Sequence, residues 1–244
     1  MTTFVLVHGG WHGAWAWQRV IAHLRAAGHD AYAPTLTGLA DRSHLLTPDV
    51  NLSTHIEDVI GLIHWEQLND IILCGHSYGG IVVTAVADRI PQRLKALVYA
   101  DAFVPSNGTS LLDLVEDDRR DLLLAGATNH GDGWKVPSPK ASAWNVQDEA
   151  DQQLIDRLTT PHPLAAMREK VTLSGAWKSV PVKSYVVADS YQRPTFKIVA
   201  ERLKSDNEPW TIDHLDCGHE PMIERPHRLT EILLRATGTT SKLT

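Results

Sequence analysis

The sequence feature that most limits how this chain can fold is a serine between two glycines, where one apolar run ends and another begins. Gly75 and Gly79 flank Ser77, the apolar run 71–74 precedes them, and the apolar run 81–87 follows. Because glycine has no side chain to clash, two elements can approach closely at such a turn. The pattern predicts a strand, a tight turn and a helix, with the serine hydroxyl exposed at the positive end of the helix.

Strand-like and helix-like segments alternate along most of the chain, which predicts an α/β fold with a mostly parallel central sheet flanked by helices. The expected strands are 4–8, 31–33, 71–74, 96–100, 184–188 and 211–215, and the expected helices include 15–27, the segment from 54, 81–90 and 228–236. The alternation stops between residues 105 and 181, where prolines and tryptophans accumulate. We therefore expect a single domain over 1–244 with an inserted cap at 105–181.

Composition limits the partners and the location. With 244 residues, 43% hydrophobic and 21% charged, the chain can bury one large core. A net charge of −6 and no basic stripe argue against nucleic acid or an anionic membrane as the partner. Two cysteines, Cys74 and Cys217, do not form a disulfide framework, and the N-terminus reads as a strand rather than a signal peptide. Free thiols in the cytoplasm are the expectation.

The serine turn predicts that the other groups of an acyl-transfer site, a base and two oxyanion donors, are also present. Ser77 is the expected nucleophile, and His219 is the expected base, because it follows the last strand in a Gly-His loop. The oxyanion donors are expected to be the amide of Tyr78 and that of Gly10, in the glycine loop after the first strand. Glycines around His8 and His12 disfavour a helical zinc pair, so we expect neither metal nor cofactor.

Two aspartates compete for the role of the acid that orients the histidine. Asp189 ends the strand before the last one, between the serine and the histidine in sequence. Asp101 ends the strand directly after the serine helix and could also reach the histidine. The sequence order favours Asp189, with Asp101 as the alternative, and the other aspartate is expected to be structural.

Three motifs resemble a known family. They are the run 4–15, which reads FVLVHGGWHGAW, the Gly-His-Ser-Tyr-Gly-Gly turn, and Cys217-Gly218-His219. They resemble the α/β-hydrolase family of plant methyl esterases and hydroxynitrile lyases, and the runs 34–39 and 101–105 resemble its bacterial esterase relatives. The resemblance implies the α/β-hydrolase fold, a cofactor-free Ser-His-Asp site, and a pocket for a small ester under the cap. The family pattern places its acid at Asp189, whereas the bacterial relatives keep an aspartate like Asp101.

The same resemblance separates hydrolysis from cyanohydrin cleavage. The lyases carry a hydroxyl residue at Gly9, an acid at His76 and a lysine at Glu220, and a carboxylate would oppose the departure of cyanide. We expect a serine carboxylesterase for a small, largely apolar ester or lactone. The alternatives are a C–C lyase, a cofactor-independent oxygenase, or a receptor with little turnover. A homodimer stays open, and the expected substrate pocket comprises Gly9, Trp11, His76, Trp134 and Trp144.

Overall fold

A six-stranded parallel sheet forms the centre of the molecule, as seen in a computed structural model that describes residues 1–206 and 208–238. The strands lie in the order β2-β1-β3-β4-β7-β8. Their bounds are β1 Thr3–Val7, β2 Asp30–Tyr32, β3 Ile71–Ser77, β4 Leu94–Ala102, β7 Val182–Ala188 and β8 Trp210–Leu215, and a separate antiparallel pair consists of β5 Lys135–Val136 and β6 His162–Pro163. This sheet confirms the predicted fold class.

The central strands are continuous apolar runs because both of their faces are covered. All residues of β3 are buried except Ser77 at its end, and β4 is buried throughout except at Lys95. Parallel strands with helices on both faces have this composition. The carboxyl ends of β3 and β4 therefore lie side by side, where ligands bind in open α/β sheets.

Ten α-helices lie within the described ranges. They are α1 Gln18–Ala26, α2 Leu52–Trp65, α3 Gly79–Arg89, α4 Leu111–Leu114, α5 Asp117–His130, α6 Glu149–Leu158, α7 Leu164–Arg168, α8 Thr195–Ser205, α9 Pro221–Glu224 and α10 Pro226–Arg235. The start of α2 shows how sequence sets a helix boundary. Asn51 accepts a hydrogen bond from the Thr54 amide at 2.9 Å, and the Asn51 amide donates to the Thr54 hydroxyl. This reciprocal cap satisfies two backbone donors that would otherwise lack partners.

The segment between β4 and β7 is the one for which the sequence predicts an inserted cap. It contains helices α4 to α7 and the β5–β6 pair. The predicted domain, 1–244, also includes residue 207 and residues 239–244, which lie outside the described ranges. Among the helices of the described residues, none has the length and apolar character needed to cross a membrane.

Candidate active site

Ser77 lies at the corner between β3 and α3 in a conformation that few residues adopt. Its φ angle is 51°, in the left-handed region. A Cβ atom at Gly75 would lie 2.6 Å from the Gly79 oxygen, and one at Gly79 would lie 2.6 Å from the His8 oxygen. The two glycines are therefore required for the close approach of strand, helix and neighbouring loop. The result is a partly exposed serine at the edge of a buried strand.

One histidine connects this serine to a buried carboxylate. His219 Nε2 lies 2.9 Å from Ser77 Oγ, and His219 Nδ1 lies 2.6 Å from Asp101 Oδ2. An Asp101 carboxylate can only accept, so the His219 Nδ1–H donates to it and Nε2 is left free to accept the Ser77 hydroxyl proton. The other carboxylate oxygen of Asp101 accepts the amide of Ala188 at 3.1 Å. This geometry allows transfer of the serine proton to the imidazole.

The preference for Asp189 as the orienting acid is wrong, because its side chain bonds elsewhere. Asp189 Oδ1 lies 2.8 Å from Nδ1 of His214 on β8, and both side chains are about half exposed. The reason is the strand order. β4, which ends next to Asp101, is hydrogen-bonded to β3, whereas β7 is one strand farther from Ser77. Asp101 is thus the aspartate within reach of His219.

The surroundings of Asp101 differ from those of a surface carboxylate. Only 1% of the residue is exposed, and its φ angle is 46°. Burial raises the pKa of Asp101, while the hydrogen bond from His219 lowers it. A buried carboxylate that shares a hydrogen bond with an imidazole can hold the ring in one tautomer and stabilise it when protonated.

Two aromatic rings that sequence reasoning missed contact the imidazole of His219. Tyr191 stacks on it with ring centroids 4.7 Å apart, and Phe196 stacks at 4.8 Å with a 10° interplanar angle. The backbone amide of His219 donates to the Trp144 oxygen at 2.9 Å. The loop after β7, the helix α8 and the cap segment therefore fix the ring together. The only sequence signal was their place after a strand end.

The glycine loop after β1 is held by the buried ring of His8. The His8 Nδ1–H donates to the Gly9 oxygen at 2.8 Å, and His8 Nε2 accepts the Leu36 amide at 3.0 Å. Burial lowers the pKa of His8 to about 3, so the ring is neutral. In a trans peptide, the amide of Gly10 points away from the Gly9 oxygen that His8 holds. Gly10 and Tyr78 both line the cavity in front of Ser77.

A cavity with an empty volume of about 500 Å³ opens onto Ser77 and His219. Trp11 and Trp144 line it, as the sequence predicts. Much of the remaining wall is apolar or aromatic: Phe103, Leu111, Val115, Leu123, Met167, Tyr191 and Phe196. Three charged residues of the wall, Glu116, Arg119 and Arg193, were missed, because neither the segment 105–181 nor the loop before α8 has a periodic pattern that identifies an inward face.

Three of the expected pocket residues lie elsewhere. A Cβ atom at Gly9 would lie 2.7 Å from His76 Nδ1 and 3.0 Å from Ser77 Cβ, which places Gly9 behind the serine. His76 is fully buried, and its Nε2–H donates to the His219 oxygen at 2.7 Å, so it supports the histidine loop. Trp134 lines a separate surface depression. These three residues are not among those that line the cavity in front of Ser77, so the structure does not support their assignment to the pocket.

Glu220 is buried rather than a charged loop residue, which changes the argument about cyanide. It is fully buried, and its Oε2 lies 3.4 Å from Nε2 of His12. Burial raises the pKa of Glu220 well above its usual value. The His12 Nδ1–H donates to the Gly10 oxygen at 2.7 Å, so Nε2 carries the lone pair and suits a protonated Glu220. The position lacks the lyase cation, but the expected Coulomb repulsion is absent too.

Within 1–206 and 208–238, no cluster of three or more histidine, cysteine, aspartate or glutamate side chains could hold a metal ion. Cys74 and Cys217 are both buried and free, and burial raises the pKa of each thiol. These thiols do not take part in the site geometry described above.

Comparison with known proteins shows the family of this chain. Residues 4–232 match the model of the alpha/beta hydrolase family, and the chain belongs to that family. It is 39% identical to a carbendazim hydrolyzing esterase of Nocardioides sp. (strain SG-4G), over 96% of this chain and 98% of that protein. It is 26% identical to putative methylesterase 14, chloroplastic, of Arabidopsis thaliana, over 95% of this chain and 70% of that protein.

A solved structure supports the same family assignment. It is an extracellular alpha/beta-hydrolase from a Paenibacillus species, described as sharing structural and functional homology with tobacco salicylic acid binding protein 2. Its TM-score is 0.85 at 25% identity, over 97% of this chain and 99% of that chain. The family resemblance and the prediction of a serine hydrolase that acts on esters are confirmed, and neither a lyase, an oxygenase nor a receptor is favoured.

Proposed function

We propose that Ser77, His219 and Asp101 are the catalytic triad of this carboxylic ester hydrolase. The observation that carries the proposal is the continuous hydrogen-bonded line from Asp101 Oδ2 through both nitrogens of His219 to Ser77 Oγ. Each atom has the role that acyl transfer needs: an acceptor that fixes the tautomer, a base with a free lone pair, and a hydroxyl. The same line ends in the cavity that both Ser77 and His219 line.

The reaction proceeds through an acyl-enzyme in two matched halves. Ser77 Oγ gives its proton to His219 Nε2 and forms a bond to the ester carbonyl carbon. The tetrahedral intermediate collapses, and the leaving alkoxide takes the proton from Nε2 as the ester C–O bond breaks. Water then gives a proton to Nε2 and adds to the acyl carbon. Ser77 Oγ leaves with that proton, which restores the enzyme and releases the acid.

The amides of Gly10 and Tyr78 form the proposed oxyanion hole. Both residues line the cavity beside Ser77, and Tyr78 directly follows the nucleophile at the start of α3. His8 fixes the Gly9 carbonyl, and the attached Gly10 amide takes the opposite direction. A donor held before the reaction needs no reorganisation when negative charge develops, which is why such donors are effective.

The proposed substrate is a small ester with a flat or branched apolar part. Trp11, Trp144, Phe103 and Met167 supply broad apolar walls next to Ser77. The relatives named as a carbendazim hydrolyzing esterase and a putative methylesterase point in the same direction, and we propose methyl esters as the first class to assay. An apolar cavity favours ligands whose apolar surface is exposed to water when they are free and is buried when they bind.

Location and assembly are further proposals. The two buried, free cysteines support a cytoplasmic location, since neither forms a disulfide. Cell fractionation would test it. A homodimer is tested by sedimentation of the purified protein across a range of concentrations.

Hydrolysis of p-nitrophenyl acetate tests the proposed function. Wild type should release p-nitrophenolate, and Ser77→Ala should reduce kcat on the order of 10⁴-fold or more. Ser106→Ala, at an exposed serine, is the matched control and should keep wild-type turnover. Equal turnover by wild type and Ser77→Ala would refute the assignment.

A further inference from the structure

Arg119 brings a positive charge into the mostly apolar wall of the active-site cavity. It lies in the first turn of α5, it is only partly exposed, and it lines the same cavity as Ser77 and His219. Its guanidinium carbon is 5.8 Å from the centroid of the Trp11 ring. We propose that Arg119 determines specificity by binding an acceptor oxygen, such as a carboxylate or a second carbonyl, that the ester substrate carries. This inference rests on the proposed ester hydrolysis at Ser77.

The neighbouring acids are already occupied by another arginine. Arg193 lies 3.3 Å from Asp118 and 3.7 Å from Glu116. Glu116 also accepts a hydrogen bond from Thr195. Among the described residues, no carboxylate lies within 4.0 Å of the Arg119 guanidinium, although Glu116 and Asp118 attract it from a longer range. Arg119 is thus the cation of this wall that lacks a direct acidic partner in the part of the chain described.

The position is unfavourable for a cation unless something binds it. Burial lowers the pKa of Arg119, and the positive charge of Arg193 acts in the same direction. The start of a helix carries a partial positive charge, which also disfavours a cation in the first turn. A partly buried guanidinium has five N–H donors to satisfy and no acceptor of its own. A substrate oxygen in the cavity would supply the missing acceptor.

The position of Arg119 relative to the reacting groups determines which ester substrates it could bind. Trp11, under Arg119, directly follows Gly10 of the proposed oxyanion hole. Tyr191 stacks on the ring of His219. Burial raises the pKa of Tyr191, and the positive charge of Arg119 lowers it by a smaller amount. Arg119 therefore shares one cavity with both groups that act on the scissile carbonyl. The acceptor oxygen belongs to a part of the substrate only a few bonds from that carbonyl.

Matched esters separate the charge from the shape of the substrate. The probes are the mono-p-nitrophenyl esters of succinic, glutaric and adipic acids, the same esters capped as methyl esters, and p-nitrophenyl alkanoates of equal length. The free acids present a carboxylate, the capped esters a neutral carbonyl, and the alkanoates no second acceptor. For at least one length, wild type should prefer an acceptor ester over its alkanoate in kcat/KM.

Three variants identify Arg119 as the source of that preference. Arg119→Met, of similar length but uncharged, should lower the acceptor-to-alkanoate ratio about 10- to 100-fold, as expected for a charge-assisted hydrogen bond. It should change hydrolysis of the alkanoates less than hydrolysis of the acceptor esters, since the alkanoates offer no second oxygen to Arg119. Arg119→Lys should restore part of the ratio for the free acids. Arg120→Met is the control, because Arg120 lies on the same helix but pairs with Asp117 at 2.8 Å.

Each result of these ester assays leads to a different conclusion about Arg119. A loss confined to the free acids identifies a carboxylate, and a loss that includes the capped esters shows that a neutral carbonyl suffices. Equal ratios in wild type and Arg119→Met at all three lengths would overturn the inference while ester hydrolysis stands. Should no ester be hydrolysed, calorimetry of the half esters binding to Ser77→Ala and to Ser77→Ala with Arg119→Met still tests Arg119. Equal affinity there would overturn it as well.

Discussion

Replacing Asp101 by asparagine should remove most of the turnover and leave the fold intact. The orientation of the new amide is set by its neighbours. The Ala188 amide donates to Asp101 Oδ1 at 3.1 Å, so the amide oxygen must stay on that side. The amide NH₂ then faces His219 Nδ1, where the carboxylate oxygen lies at 2.6 Å in the native protein. Two donors cannot share that contact, so Nδ1 must become the acceptor.

The consequence is a histidine in the wrong tautomer for catalysis. With its proton on Nε2, His219 cannot accept the proton of Ser77 Oγ at 2.9 Å. The imidazolium that forms during the reaction also loses its stabilising carboxylate. Together these losses should reduce kcat on the order of 10⁴-fold, or about 5.5 kcal/mol of transition-state stabilisation. KM should change little, because Asp101 is buried behind the ring and does not line the cavity.

Asp189→Asn is the matched control, since both changes replace a strand-end carboxylate that bonds a histidine. Asp189 and His214 are about half exposed, and an exposed pair of this kind contributes less than about 1 kcal/mol. Its kcat for p-nitrophenyl acetate should stay within about threefold of wild type. A larger loss in Asp189→Asn than in Asp101→Asn, with both variants folded by circular dichroism, would refute the assignment of the acid.

Three further predictions follow from the buried polar groups and the mechanism. Glu220→Gln should keep Tm and activity close to wild type because an amide, like a protonated carboxyl, is neutral in this fully buried position. Glu220→Lys should lower Tm by placing a cation there. The reverse ranking would contradict a protonated Glu220. Stability should fall as pH drops from about 6.5 to about 4, by up to about 1.4 kcal/mol per pH unit for each buried neutral histidine, because the unfolded chain binds protons that the folded chain does not. The carboxyls with raised pKa, Glu220, Asp101 and Glu224, oppose this with at most three protons against five. A urea midpoint at pH 5 equal to that at pH 7 would refute the prediction. The buried histidines with lowered pKa are His8, His12, His55, His76 and His162. Esterase activity should survive EDTA and dialysis, since acyl transfer by Ser77 needs no metal, and loss that zinc reverses would contradict this.

Local patterns in the sequence were sufficient for some elements of the site. Ser77 and His219 were predictable because a strand end, a glycine turn and a late Gly-His loop are each visible over a few residues. The choice between Asp101 and Asp189 was not, since both end a strand and the order of strands in the sheet is set by long-range packing. Sequence order alone favoured the wrong aspartate.

Other features depend on partners far apart in the chain. The sequence analysis treated Glu220 as a charged carboxylate, but it is fully buried beside His12, which lies near the other end of the sequence. Arg119 lies on a helix whose leucines fall at exposed and cavity-facing positions alike, as Leu122 and Leu123 show, so no period distinguishes the two faces. The helix α8, which presents Phe196 to His219, was also not predicted. Each of these side chains acquires its role only through the tertiary fold.

The most direct test of the account is the site of covalent capture by a serine-directed fluorophosphonate. The reagent should add one label to the native protein, and peptide mass spectrometry should place it on Ser77, because His219 and the strained corner activate that hydroxyl alone. Asp101→Asn should be labelled much more slowly, and Ser77→Ala not at all. A label on another residue, or an active preparation that takes up none, would contradict the central claim that Ser77 is the nucleophile.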